Sequence, residues 1–293
     1  VGSEMCIRDR LKIVTLLFFI CLMMACSQES PSVREPDLTF TVNGETFEMV
    51  KVRGGTFMMG GTSEQGDDCE ANEQPPHEEN VNSFYIGKYE VTQGLWNAVM
   101  GEHTNPSYNV GCKECPVENV SWKDAQIFIT KLTILTKKQF RLPSEVEWEY
   151  AARGGERSKK YKYSGNDKID EVAWYIDNYK HDGHGEKGTT HPVGMKKPNE
   201  LGLYDMSGNV WEWCNDLYTK EYYNNGKQIH QGWPFKGTYS YYRRILRGGS
   251  WGGTATGCRV SYIDYDLSRY KDEYGGFRLA MDTLALDSIK CDY

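Results

Sequence analysis

Basic patches, internal repeats, heptads and long apolar runs are all missing from this 293-residue chain. Without a basic face, a nucleic-acid partner is excluded, because phosphate binding depends on clustered lysines and arginines that release counterions. The charge balance points the other way, with 34 Lys and Arg against 41 Asp and Glu, a formal net charge of −7. Histidines are few: His77, His103, His181, His184, His191 and His230. Of these only His181 and His184 approach metal-ligand spacing, and an isolated His-x-x-His in a glycine-rich loop is ordinarily solvated. What the chain does have is 20 Tyr, 10 Phe, 8 Trp and 30 Gly. That mixture suits one loop-rich α+β domain in which aromatic rings replace long aliphatic elements as core material.

The longest apolar run, Ile13–Ala25, is too short to span a bilayer and has the length of a signal-peptide core. Arg8, Arg10 and Lys12 precede it, and the first ten residues, VGSEMCIRDR, read as an artefact outside the fold. The run ends in Met23-Met24-Ala25-Cys26, which resembles a bacterial lipoprotein processing site; Met23 stands where Leu is usual. We therefore expect lipid attachment at Cys26 and an exported cell-envelope lipoprotein of the outer membrane, the alternative being an ordinary signal peptide cut nearby. Residues 27–45 are expected as a tether, 46–282 as the folded domain and 283–293 as a tail.

Six cysteines fall in the exported part: Cys69, Cys112, Cys115, Cys214, Cys258 and Cys291. An even number in an oxidising compartment predicts disulfides, with many pairings open. Cys112-x-x-Cys115 lacks the second pair that a zinc site needs, so a loop disulfide, with Cys69 as a candidate partner, is the expectation.

Local signals place the elements. Asn43-Gly44 and Gly54-Gly55 are expected as hairpin turns, and Ser83–Tyr89 as a strand. Thr92 can cap a helix over Gln93–Met100 that Gly101 ends. Ser121 with Asp124, and Ser144 with Glu147, form capping boxes for two further helices. Ala125, Phe128, Ile129, Leu132 and Leu135 would form the buried face of the first of these. Arg247–Trp251, Cys258–Ile263 and Gly276–Met281 read as short core strands. Glu145, Glu147 and Glu149 sit where a helix start favours acids.

The most telling window is Leu201–Trp213, LGLYDMSGNVWEW. It sets Asp205 and Glu212 around a Gly208-Asn209 turn and follows them with tryptophans. Carboxylates and free carbonyls at short spacing suit a hard cation such as Ca²⁺; a tight turn with solvated acids is the plainer alternative.

Seven blocks in order, MVKVRGGTFMMG, IGKYEVTQGLW, PVENVSWKDA, RLPSEVEWEYAARGG, HPVGMKKPNELGLYDMSGNVWEW, RILRGGSW and GGFRLA, resemble the formylglycine-generating enzyme, or sulfatase-modifying factor, family over Phe47 to Met281. The resemblance implies a compact, loop-rich α+β fold related to C-type lectins. It also implies a structural calcium held by the Asp205 and Glu212 side chains and the Gly208 and Val210 carbonyls. Its activity is an oxidation that converts a sulfatase cysteine to formylglycine, using O₂ and Cu(I) bound by two cysteines between the RGGSW and GFR blocks. Two soft thiolates are needed to hold the copper. Here the matching positions fall near Ala255 and Val260, and Cys258 is the only cysteine of the segment. No catalytic residue is assigned; Cys258 and Cys214 are the weak candidates, and pairing of Cys258 with Cys214 or a buried thiol is expected instead. Arg141, Arg153, Arg247, Arg259 and Arg278 are expected to organise loops. Ser250 has no His/Asp partner for a hydrolase triad.

The expected function is therefore a non-catalytic binding or scaffold role, with a protein or glycan partner at the envelope and Thr254–Tyr274 as a recognition surface. An oxidase of altered site, with copper, is the alternative. A carbohydrate-binding, lectin-like module is the second.

Overall fold

The computed structural model describes residues 37–179, 188–218 and 242–283. All lie within one compact unit, Pro36–Tyr293. Cys26, His181, His184, His230 and Cys291 lie outside the described residues.

The Asn43-Gly44 turn closes a hairpin between β1 (Leu38–Val42) and β2 (Glu45–Val52), with Phe40 opposite Phe47. Both turn residues have positive φ, as a tight hairpin turn requires. Leu38–Val42, counted with the tether above, is thus part of the sheet. The sheet order is β1-β2-β5-β10, adding β5 (Phe84–Gly87) and β10 (Ala280–Asp282), so both ends of the described chain meet in one sheet. Gly54-Gly55 is not a hairpin turn. The chain changes sheets there, and β3 (Gly55–Met59) pairs with β4 (His77–Val81). A Cβ on Gly54 would lie 2.4 Å from the Val81 carbonyl oxygen, so close backbone approach, not a turn, is what that glycine serves.

Three helices are where their caps predict them. α1 (Gln93–Met100) is capped by Thr92, whose hydroxyl accepts from the Leu95 N–H. α2 (Trp122–Thr136) and α3 (Glu145–Ala152) each start in a complete capping box. Along α2, Ala125, Phe128, Ile129 and Leu132 are buried, but Leu135 is half exposed, because the helix leaves the core in its last turn. One turn of helix, α4 (Ile169–Val172), follows.

A second four-stranded sheet has the order β8-β7-β6-β9: β6 (Trp211–Leu217), β7 (Arg243–Arg247), β8 (Asp264–Leu267) and β9 (Gly275–Gly276), the last parallel to β6. The strands expected at Arg247–Trp251 and Cys258–Ile263 are not formed: β7 ends at Arg247, and Thr256–Cys258 is a 3₁₀ turn. Gly248 and Gly249 have positive φ, which takes the chain out of the ladder. Of Gly276–Met281, only the ends are in strands.

Two clusters form the core. One gathers α1 and α2 with Trp213, Phe277 and Met281. The other gathers α3 with Phe84, Leu203, Ile245 and Val260. Both draw only on residues between Val42 and Met281, so the compact unit carries its own core.

Candidate functional site

The window around Gly208 sits deep in the molecule. Gly208 has φ +83°, and a Cβ there would lie 2.3 Å from the Trp174 carbonyl oxygen, so only glycine fits. Its N–H bonds the Gly248 carbonyl at 2.7 Å, and the Asn209 N–H bonds the Trp174 carbonyl at 2.9 Å. Asp205, Asn209 and Glu212 are all buried.

Each acid of the window has its own role. Glu212 accepts two bonds of 2.6 Å from the Arg278 guanidinium and one of 2.8 Å from the Trp148 indole N–H. Arg278 is wholly buried and also donates to the Gly87 and Tyr204 carbonyls. Glu212 is thus first an ion-pair partner, joining the second sheet, α3 and the segment before β10. Asp205 Oδ2 accepts from the Gly194 N–H at 2.7 Å, while Oδ1 is buried without a partner.

A third carboxylate, Glu90, escaped the sequence reading. Oε1 accepts from the Val210 N–H and Oε2 from the Asn209 side-chain amide. Its one signal was an acid set directly between Tyr89 and Val91, inside the quoted IGKYEVTQGLW block. Burial, with the Asp205 and Glu212 charges next to it, pushes Glu90 well above the usual carboxylate range. Burial likewise pushes Asp205 up to about 6. Burial is the main cause, and a charge mismatch adds to it, since three buried carboxylates share one buried guanidinium.

A divalent cation would correct that mismatch, and the donors fit one. Asp205 has an open buried oxygen, and the Gly208 and Val210 carbonyls are the main-chain donors of the same loop. Among the described residues, no three His, Cys, Asp or Glu side chains form a metal-holding group, so such a site relies on main-chain oxygens.

The thiols are arranged differently from the expectation. Cys112 and Cys115 are bonded to each other. Their loop receives the first turn of α1, since the Gln93 N–H bonds the Cys115 carbonyl and the Gly94 N–H bonds the Lys113 carbonyl. Cys69, Cys214 and Cys258 are free thiols, which overturns the Cys214–Cys258 pairing and the use of Cys69 in a loop disulfide. Cys69 is occupied by Arg259, whose Nη1 lies 3.4 Å from its sulfur. Cys214 and Cys258 are both buried but pack in different clusters, Cys214 with α3 and Cys258 with Tyr163, Val172 and Tyr175. Burial pushes Cys258 up to about 12 and holds Cys214 well above the thiol range.

Ala255 and Val260 are packed as well. Val260 is fully buried in the second core cluster, and Ala255 packs against the Cys258 cluster. Ser250 is buried and its carbonyl accepts from the Gly253 N–H. A cleft of about 90 Å³ lies elsewhere, among Phe47, Tyr89, Glu90, Leu95 and Leu279.

The arginines do organise loops. Arg259 forms two 2.7 Å bonds with the buried Glu73, a residue the sequence reading passed over. Arg247 pairs with Glu149, which also receives Arg153. Arg141 binds Glu147 and Asp282, tying the start of α3 to β10.

Fold and site together define a loop-rich α+β domain braced by buried carboxylate–arginine pairs, with its thiols scattered and packed. The profile described as sulfatase-modifying factor enzyme 1-like domain matches residues 37–283, and the chain belongs to this FGE-sulfatase family. A protein named chaperone protein LppX, from Paenibacillus barcinonensis, is 35% identical over 62% of this chain and 74% of its own. The formylglycine-generating enzyme of Streptomyces coelicolor is 37% identical over 46% of this chain, a match that spans 42% of that enzyme. A bovine (Bos taurus) protein named inactive C-alpha-formylglycine-generating enzyme 2 is 28% identical over 73% of this chain and 80% of its own. Among solved structures, Treponema denticola variable protein 1 is 32% identical with a TM-score of 0.66, over 85% of this chain and all of that one.

Proposed function

We propose that this protein is an exported, lipid-anchored member of the family with a non-catalytic binding or scaffold role at the cell envelope. The observation that carries the reading is the state of the segment from Ser250 to Val260. Near the positions where the family's copper cysteines would stand it has Val260, buried, and Ala255, partly buried, and its one thiol, Cys258, is buried and protonated. Two exposed, exchangeable thiolates are the minimum for Cu(I) chemistry of this kind. The names "inactive" and "chaperone" on the bovine and Paenibacillus relatives are in keeping with that role.

The partner is a protein or glycan. Its surface is the later part of the Thr254–Tyr274 segment, where Arg269, Tyr270 and Lys271 are exposed. Calcium is the structural ion in this reading, held by Asp205, Gly208, Val210 and Glu212, with Glu90 fixing the loop by its bonds to Asn209 and Val210.

The match to the Streptomyces enzyme favours a second reading, an oxidase of altered site in which Cys258 acts with Cys214 and copper. One assay separates the two. The protein is mixed with Cu(I), O₂ and a Cys-x-Pro-x-Arg peptide, and formylglycine is read by mass. The scaffold reading expects no conversion; conversion that disappears in Cys258→Ser would establish the oxidase.

A further inference from the structure

The outward face of α2 carries a pattern that the core does not explain. Lys123, Ile127, Lys131 and Ile134 follow one another at spacings of three or four, which sets them in one stripe along the helix, and Lys138 follows just past its C-cap. The buried residues Ala125, Phe128, Ile129 and Leu132 occupy the opposite side. In the stripe, Ile127 is 50% and Ile134 70% exposed, with Leu135 at its edge also 50% exposed. A solvated helix face would carry charge of both signs and polar residues. Here the one acid near the stripe, Asp124, is engaged by the Ser121 backbone and hydroxyl.

The charge of the stripe is uncompensated. Among the described residues the lysine ion pairs are made by Lys88, Lys113, Lys162 and Lys197, and none by Lys123, Lys131, Lys137 or Lys138. Lys137 and Lys138 have a plain structural reason, because cations favour a helix C-terminus. Lys123 in the first turn is on the wrong end for that, and the two isoleucines have no such reason. Lysines alternating with exposed aliphatic side chains, on a protein of net charge −7, form a surface complementary to one that is both anionic and apolar.

The chain's path adds a second observation. β1 packs against α2, and Phe40 of β1 meets Phe140, just beyond the helix, edge to face at 5.3 Å. The described chain therefore enters the domain against α2. The span between Cys26 and Asp37 can reach only about 35–40 Å when extended.

We infer that the Lys123–Ile127–Lys131–Ile134 face of α2, with Lys138 just past its end, rests on an anionic lipid surface. In the anchored protein this contact would orient the domain and turn the opposite surface outward. The inference rests on the lipid-anchor reading for its setting, but the face itself is tested without the anchor.

The test uses the unit Pro36–Tyr293, which holds its own core and lacks Cys26. Its binding is measured by co-sedimentation with phosphatidylcholine vesicles and with vesicles containing about one third phosphatidylglycerol. Binding to the anionic vesicles only, weakening as salt rises, is expected. Lys131→Glu with Lys138→Glu should lower the partition coefficient at least ~10-fold, since each basic residue near such a surface matters by several-fold. Ile134→Ser should lower it about 3-fold. Charge reversal of the exposed Lys159 and Lys160 should leave binding unchanged, which controls for net charge. Equal binding to both vesicle types, or equal loss from the two charge reversals, would overturn the inference. The anchor is tested separately, by mass spectrometry of the N-terminal peptide from the full chain. Absence of lipid on Cys26 removes the anchor and leaves the vesicle result standing, and the converse also holds.

Discussion

Two segments of this protein, Asp205–Glu212, which is largely buried, and Ser250–Val260, which is buried at its ends and open at Thr254, resolve the same problem in opposite ways. In the first, polar groups are kept and matched: Glu212 to Arg278 and Trp148, Asn209 to Glu90 and His191. In the second, Val260 joins the core, Ala255 packs partly buried at its edge, and the Cys258 thiol is enclosed with Tyr163, Val172 and Tyr175. Scaffold and chemistry are therefore separable here. The brace is coupled to both sheets and to α3, so losing it would cost the fold, whereas the second segment is tied in chiefly by side-chain packing. Domain membership reports the first segment and says little about the second.

The widest predicted contrast comes from the brace. Arg278→Ala leaves Glu212 buried without its guanidinium partner, an outcome that costs about 3–5 kcal/mol. Thermal unfolding should move down by roughly 10 °C or more. The double variant Arg278→Met, Glu212→Gln should recover part of the loss, because no charge is then stranded. A shift of only a degree or two for the single variant would mean that the brace is not what holds the sheets together.

Next in size is the charge mismatch. Asp205 has its folded pKa raised to about 6, above the ~3.9 of an unfolded chain. A raised carboxyl binds its proton more tightly when folded. Its contribution is therefore most favourable below the unfolded value, falls as pH rises from about 4 to about 6, and is flat above that. The whole step is on the order of 3 kcal/mol. Calcium should cancel it. Millimolar calcium should raise the unfolding temperature at pH 7.5 and do much less at pH 5, and Asp205→Asn should abolish both the pH step and the calcium response. No calcium response at pH 7.5 would remove the cation from the brace.

How much of this was legible in the sequence follows from range. The starts of α1, α2 and α3 were readable to the residue because their caps are local, Thr92, Ser121 and Ser144 each bonding within the next three residues. The Asn43-Gly44 hairpin was local too. Gly54-Gly55 was misread because its glycines answer to Val81, far along the chain, and not to a turn. Glu90 and Glu73 were missed for the same reason. Their partners lie 120 and 186 residues away, and one sequence gives no signal of such a pairing. The pairing of cysteines was beyond reach because even counts invite bridges between loops, while Cys112 and Cys115 close a loop of their own.

The smallest effect probes the packed segment itself. Cys258→Ala removes a buried sulfur from a tight corner, where a Cβ on Gly249 would already lie 2.7 Å from the sulfur, so the neighbours can close around the loss. A cost of about 1 kcal/mol is expected. Its reactivity tells more. With the thiol pushed up to about 12, its thiolate fraction at pH 8 is about 10⁻⁴, and burial hinders access further. Cys69 is partly exposed; burial and the Glu73 charge raise its thiol despite the Arg259 guanidinium beside it, so access is what sets it apart. Alkylation followed by peptide mapping should therefore modify Cys69 at least ~10³-fold faster than Cys258 in the folded protein, and the two at similar rates once it is unfolded. Fast labelling of folded Cys258 would show that the segment opens, and the contrast between a kept brace and a closed reactive site would be lost.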